Sequence, residues 1–190
     1  MKKKWAIAAL AVFCLLLLVF SIQCSIYRVK PDNSNLAQQV NLWLNRTQSG
    51  TIPYPQNDIT IYDYIDLGPE RYVQMEVNGQ SGLIQLRRGL TGNYKIEVTS
   101  RGGGNFKDWI VEQDGSRYLL LMGRNAVFGI ERMTFTVDGR EYSLTIPHTS
   151  PFFLYTELAS SQSNAWLDWD TVRFYNADGE DITQQVPWVI

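Results

Sequence analysis

Arg132-Met133-Thr134-Phe135-Thr136-Val137-Asp138-Gly139-Arg140-Glu141-Tyr142-Ser143-Leu144-Thr145-Ile146 is two runs of β-type residues folded about an Asp-Gly pair. Such a pair supplies the positive φ angles that a two-residue hairpin turn requires, so the stretch predicts two antiparallel strands. The same grammar recurs. Asn78-Gly79 lies between 72–77 and 83–86, Asp114-Gly115 between 109–112 and 118–122, and Asp178-Gly179 between 171–175 and Ile182. Val73, Met75 and Val77 alternate with Tyr72, Gln74 and Glu76, which predicts a strand with one buried face. Tyr94, Ile96 and Val98 alternate in the same way, whereas 118–122 does not alternate and predicts a central strand covered on both faces. With 59–64 and 152–157 the count reaches about nine to eleven strands, which suits an antiparallel two-sheet β-sandwich, the alternative being an open β-barrel. No fixed-period repeat supports a propeller or solenoid.

Upstream of this β domain, assigned to 58–190, the chain changes character twice. Lys2, Lys3 and Lys4 precede 6–22, a run of 17 residues without a charge. As a helix that run is roughly 25 Å long, close to the hydrocarbon thickness of a bilayer. Residues 1–24 therefore predict a transmembrane anchor, with the lysines cytoplasmic and everything after Cys24 outside. A lipoprotein with its lipid on Cys24 and a cleaved signal peptide are the alternatives. Gln23 stands where a lipobox has a small residue, and small residues are also missing from the −3 and −1 positions of a convincing cleavage site. Residues 25–57 read as a polar tether over 25–33, a short amphipathic helix, and a connector with Pro53 and Pro55. Ser34 is placed to cap that helix, and Leu36, Val40, Trp43 and Leu44 form its single apolar stripe.

Charge and composition exclude several functions. Beyond Cys24 the chain carries 14 Lys+Arg against 19 Asp+Glu, net −5, so it lacks the basic surplus a nucleic-acid binder needs. One histidine and no cysteine after Cys24 argue against zinc and thiol chemistry, and no metal or other cofactor is expected. His148, in Pro147-His148-Thr149-Ser150-Pro151, reads as a solvent-facing turn residue rather than a catalytic base. Asn176-Ala177-Asp178-Gly179-Glu180-Asp181 lacks calcium-loop spacing and reads as a turn. The Gly-rich stretch 101–105 lacks the Gly-Lys-Ser/Thr of a phosphate loop and reads as a mobile hairpin loop.

Aromatic residues are the compositional surplus, 13% of the chain, with Tyr54, Tyr62, Tyr64 and Tyr72 clustered early. Trp166 and Trp169 follow a Ser-rich stretch, 160–165, that reads as a surface loop. With Asp168 and Asp170 they form the candidate ligand surface: indoles stack on sugars or fill a partner's pocket, and carboxylates orient hydroxyls. The bland reading places the same rings in the core or its rim.

Residues 129–142, with the Phe-rich Phe152-Phe153-Leu154-Tyr155 and the late strand and turn 172–179, resemble uncharacterised membrane-anchored or lipoprotein modules of Gram-positive bacteria over about a third of the chain. That resemblance implies location and fold, and carries no functional residues. Together these readings lead to the expectation of a non-enzymatic, membrane-anchored extracytoplasmic binding, sensing or assembly module of the cell envelope, its partner an envelope protein or a cell-wall polymer. A carboxylate-based, glycosidase-like envelope hydrolase and an accessory subunit of a membrane complex are the alternatives.

Overall fold

Three of the four dipeptides fold as two-residue hairpins in the computed structural model of the protein, which describes residues 2–47, 56–102, 104–159 and 166–187. Asn78-Gly79 (φ 52° and 80°), Asp114-Gly115 (52° and 82°) and Asp138-Gly139 (51° and 73°) have both central residues left-handed, as a type I′ turn demands. The fourth differs. Gly179 has φ 79°, but the chain runs on to a single bridge between Tyr175 and Asp181 rather than a strand. The Asn176 side chain is the cause: its Oδ1 accepts the backbone N–H groups of Asp178 and Glu180 and rounds the loop locally.

Ten antiparallel strands form three sheets among the described residues. The first is a meander, in order β1 (Ile59–Leu67), β2 (Glu70–Val77), β3 (Gln80–Arg88) and β4 (Tyr94–Arg101). The second joins β5 (Phe106–Gln113), β6 (Ser116–Gly123) and β9 (Phe152–Leu158), and the third has the order β10 (Asp168–Tyr175), β7 (Arg132–Val137), β8 (Arg140–Thr145). The chain is thus mainly β and antiparallel, consistent with the expected β-sandwich, with its described strands divided among three sheets. The middle sheet explains the count. On β6, Leu119 and Leu121 point to a core shared with Met133, Phe135, Val137, Val172 and Phe174 of the third sheet. Leu120 and Met122 point the other way, to Tyr72 and Leu83 of the first sheet and to Val111 and Phe153 of their own. The non-alternating run 118–122 is therefore a strand with both faces covered, as its composition predicts.

The same stacking corrects the reading of β2. Tyr72 and Gln74, expected on a solvent face, are 2% and 3% exposed. Tyr72 meets Trp109 edge-on at 6.5 Å, and Gln74 Nε2 donates to the Phe152 carbonyl across the sheets. This bond satisfies half of the buried amide; Gln74 Oε1 has no hydrogen-bond partner among the described residues, and an unpaired buried group costs about 1–3 kcal/mol.

The outer face of the first sheet is covered by α2 (Leu36–Leu44). Leu36 and Val40 are wholly buried against Val73, Met75, Ile84 and Leu86, with Trp43 and Leu44 beside them. The apolar stripe thus faces the protein's own core. Ser34 is not its cap; Asn35 is, without a capping side-chain bond. Asn35 instead accepts from Lys30 N–H and donates to the Arg28 carbonyl. This ties down 28–35, which includes most of the expected polar tether, 25–33. Val29 pairs both ways with Tyr94 (2.9 and 2.8 Å) and is 1% exposed. Upstream, α1 (Lys2–Ile26) runs for 25 residues. Among the described residues no helix is long and apolar enough to cross a membrane.

Arg71 fastens these parts together. Its Nε and Nη2 donate to Asp66 Oδ1 and Oδ2 (2.6 and 2.9 Å), and its Nη1 to the Pro31 carbonyl and Asn33 Oδ1 (2.6 and 3.1 Å). The Tyr64 and Tyr94 rings lie 4.1 and 4.5 Å from the guanidinium carbon. Asp66 remains half open to water, which moderates the cost of breaking the pair. Arg71→Ala is expected to lower stability by about 2 kcal/mol in urea titration, and Arg71→Lys to recover little of it, since an ammonium cannot reproduce the planar fork. A lysine variant with the wild-type midpoint would show that charge alone suffices. Gly139→Val meets no neighbour within 4 Å, so its expected loss of about 1 kcal/mol or more comes from φ strain alone.

Candidate functional site

The first half of β10 does not pair regularly with β7. Asp168 faces Thr136 and Arg173 faces Thr134, so five positions on one strand span two on the other. Thr171 sustains this bulge, its Oγ1 accepting Thr136 N–H (2.9 Å) and donating to the Asp168 carbonyl (2.7 Å). Asp168 Oδ1 in turn accepts Asp170 N–H. Bulges re-aim side chains, and this one presents Trp169 and Asp170 to an open groove of about 680 Å³. Arg173, Asp181, Thr183 and Gln184 complete its lining.

The four residues singled out from the sequence separate here. Trp166 is 71% exposed and Leu167, between the indoles, is buried in the core. Trp169 is half-buried against that core, and its Nε1 donates to Asp108 Oδ1 at 2.9 Å. Asp170 lines the groove, while Asp168 is spent on the bulge. The loop 160–165 lies outside the described residues, as do Gly103, Tyr54 and the two prolines of the connector.

Arg173, Asp181 and Gln184 are not among the site residues expected from the sequence: Arg173 follows the bulge on β10, and Asp181 and Gln184 come from the far side of the Asn176 turn. The available signal was Asp181-Ile182-Thr183, an Asx-type spacing. Asp181 Oδ1 accepts Thr183 N–H, and bonding from the Thr183 side chain and backbone holds the Asp181 carboxyl below the usual range. Arg173 Nη1 donates to the Asp170 and Val172 carbonyls, which fixes the guanidinium at the rim. The groove therefore offers one aromatic face, two carboxylates, a guanidinium and an amide, a set suited to hydroxyl-rich or polar-peptide ligands.

A second groove, of about 540 Å³, lies between Tyr62, Glu76, Asn105, Arg124, Val127 and Pro151. Glu76 accepts from both the Arg124 guanidinium and the Tyr62 hydroxyl. Burial, then the bond to Glu76, raises the Tyr62 pKa. His148 pairs with Glu131 at 2.9 Å in an exposed turn, and Cys24 and Cys14 are exposed free thiols. Among the described residues no three His, Cys, Asp or Glu side chains gather as a metal site would require.

Asp108 behind the groove has a testable consequence. Burial pushes its carboxyl above the ordinary value, outweighing the bond from Trp169. A raised folded-state pKa in an acid means that ionisation weakens the fold. The penalty is absent below about pH 3.8 and complete above the folded pKa. Asp108→Asn, which keeps an acceptor for the indole, is expected to unfold at higher urea than wild type at pH 7, with the gap closing toward pH 3.5. A gap of the same size at both pH values would show that Asp108 is not destabilised by its charge.

Comparison with protein-family models, curated protein sequences and solved structures finds no match to this chain.

Proposed function

We propose that the protein is a non-enzymatic binding module of the bacterial cell envelope. In this reading α1 is held in the membrane with the amino terminus cytoplasmic, and the β domain outside presents the Trp169–Asp170 groove to a cell-wall polymer or an envelope protein. The observation that supports anchoring is the surface of α1. Six consecutive apolar side chains, from Leu15 to Phe20, are each at least 41% exposed, and six residues turn through every direction around a helix. An amphipathic helix of a water-facing protein buries one stripe, whereas a helix apolar all round needs an apolar surrounding. Fully covering each leucine contributes about 1.5–3 kcal/mol, and lipid is the surrounding that the flanking Lys2–Lys4 suit.

Binding rather than catalysis is favoured by the open groove, in which one of the two carboxylates, Asp181, is engaged by the Thr183 N–H. Asp170→Ala and Gln184→Ala, at exposed positions of the lining, test the groove without touching the core. Retention of the full chain on purified wall material is expected to fall about tenfold, the equivalent of 1.4 kcal/mol, with unfolding midpoints unchanged. Undiminished retention removes the groove from the proposal. Release of new sugar ends from the wall, lost in Asp170→Asn, would replace binding by hydrolysis. For topology, protease added to wall-free cells is expected to digest the β domain, and a protected domain would reverse the orientation.

A further inference from the structure

We propose that the β3–β4 loop, 89–93, is a second membrane contact, with Leu90 among the acyl chains of the outer leaflet and Arg28 and Arg88 at anionic phospholipid headgroups. This rests on the anchored reading of α1. Leu90 is 84% exposed, and its loop, Gly89-Leu90-Thr91-Gly92-Asn93, carries no charge. Leu90, Thr91 and Asn93 face Leu16, Phe20 and Gln23 across an open groove. The depth follows from helix geometry. A hydrocarbon core of about 30 Å takes up about 20 helical residues, so one that begins at Ala6 ends near Ser25. Leu16 to Gln23 then lie in the outer half of the bilayer, and the loop beside them lies below its surface. A tilt of about 20° shortens these depths by only a few per cent.

The loop is built for that setting. Gly89 N–H donates to the Asn93 carbonyl (2.7 Å) and Gly92 N–H to the Gly89 carbonyl (3.1 Å), so its backbone is partly closed on itself. It is also locked to the helix. A Cβ on Gly89 would stand 2.6 Å from the Tyr27 ring, so ring and loop backbone are in direct contact. The Val29–Tyr94 pair clamps the next residues. Just past Ile26 the exposed Arg28 donates from Nε to the Ser25 carbonyl, and the exposed Arg88 begins the loop's other side. Neither has a carboxylate partner within salt-bridge distance among the described residues, and both stand at headgroup level. Leucine below and arginine above is the ordering a bilayer interface selects.

The test uses the full chain carrying Cys14→Ser and Cys24→Ser, with an environment-sensitive nitrobenzoxadiazole dye on Leu90→Cys. Gln80→Cys, at the opposite end of β3 about 30 Å away, is the control. In vesicles of phosphatidylcholine and phosphatidylglycerol, the Leu90 dye is expected to emit further to the blue and to be quenched several-fold more by acyl-chain spin labels than the Gln80 dye. If the protein floats with the vesicles but the two dyes behave alike, the loop is in water and the proposal fails while the anchor stands. A blue shift without quenching places protein, such as a second copy, against Leu90 and also overturns it. A chain that does not float removes the anchor and the loop contact together.

Discussion

Arg71 is a cation inside the protein, and the placement of everything before the first sheet depends on satisfying it. Burying an unpaired charge costs several kcal/mol, so both faces and four of the five N–H groups of the guanidinium are used. Two N–H groups go to Asp66, two strands' tyrosines cover the faces, and the two Nη1 donors take the Pro31 carbonyl and Asn33 Oδ1. Those last two belong to the link between α1 and α2. The link cannot lift off without stranding part of a buried cation. Asn33 itself adopts φ 58°, a left-handed geometry that asparagine tolerates better than most residues, and in that conformation its amide reaches Arg71. A segment of ordinary polar residues is thereby turned into part of the domain.

That clamp marks where sequence reasoning falls short. Hairpins are local, and three Asn-Gly or Asp-Gly pairs reveal their strands because left-handed φ angles at two successive residues leave few other structures. Sheet partition is not local. Whether Tyr72 and Gln74 meet water depends on β6 and β9, 40 to 80 residues on, and a glutamine on the polar side of an alternating strand carries no sign that Phe152 will supply its acceptor. The pairing within 25–33 is hidden for the same reason: Val29 is an apolar residue in a mostly polar stretch, and only Tyr94 makes it a β-bridge. The surplus of aromatics follows once three sheets are in place. Two inter-sheet cores take up Tyr72, Trp109, Phe135, Phe152, Phe153 and Phe174, while Tyr62, Tyr64, Tyr155 and Trp166 stay exposed on the β domain.

The candidate site was legible only in part, for a physical reason. Trp169 and Asp170 were visible because a Trp-x-x-Trp spacing after a polar loop stands out. Their separation from Trp166 and Asp168 was not, since it comes from a bulge held by one threonine hydroxyl. On a regular strand Trp169 and Asp170 would point to opposite faces. The bulge brings both to one groove, and the bond to Asp108 holds the indole there at the expense of a partly buried carboxylate. Such a trade, local stability against a fixed aromatic face, is what a preorganised binding surface requires.

Rigidity at the groove matters only if the groove is held in a defined direction, and this returns the argument to the base of the domain. A flexible tether of about nine residues would let the domain tumble, with an end-to-end distance of roughly 15–18 Å. Here only Tyr27 and Arg28 separate the last residue of α1 from Val29, which is already paired with Tyr94. Tyr27 rests on Gly89, Arg28 bonds back to Ser25, and Asn35 draws the Arg28 carbonyl and the Lys30 N–H together. The link from helix to sheet is therefore a series of short, mutually supporting contacts. Motion of α1 is transmitted to β4 and, through Arg71, to β1 and β2. The groove on the β domain thereby keeps a defined direction relative to the carboxyl-terminal end of α1.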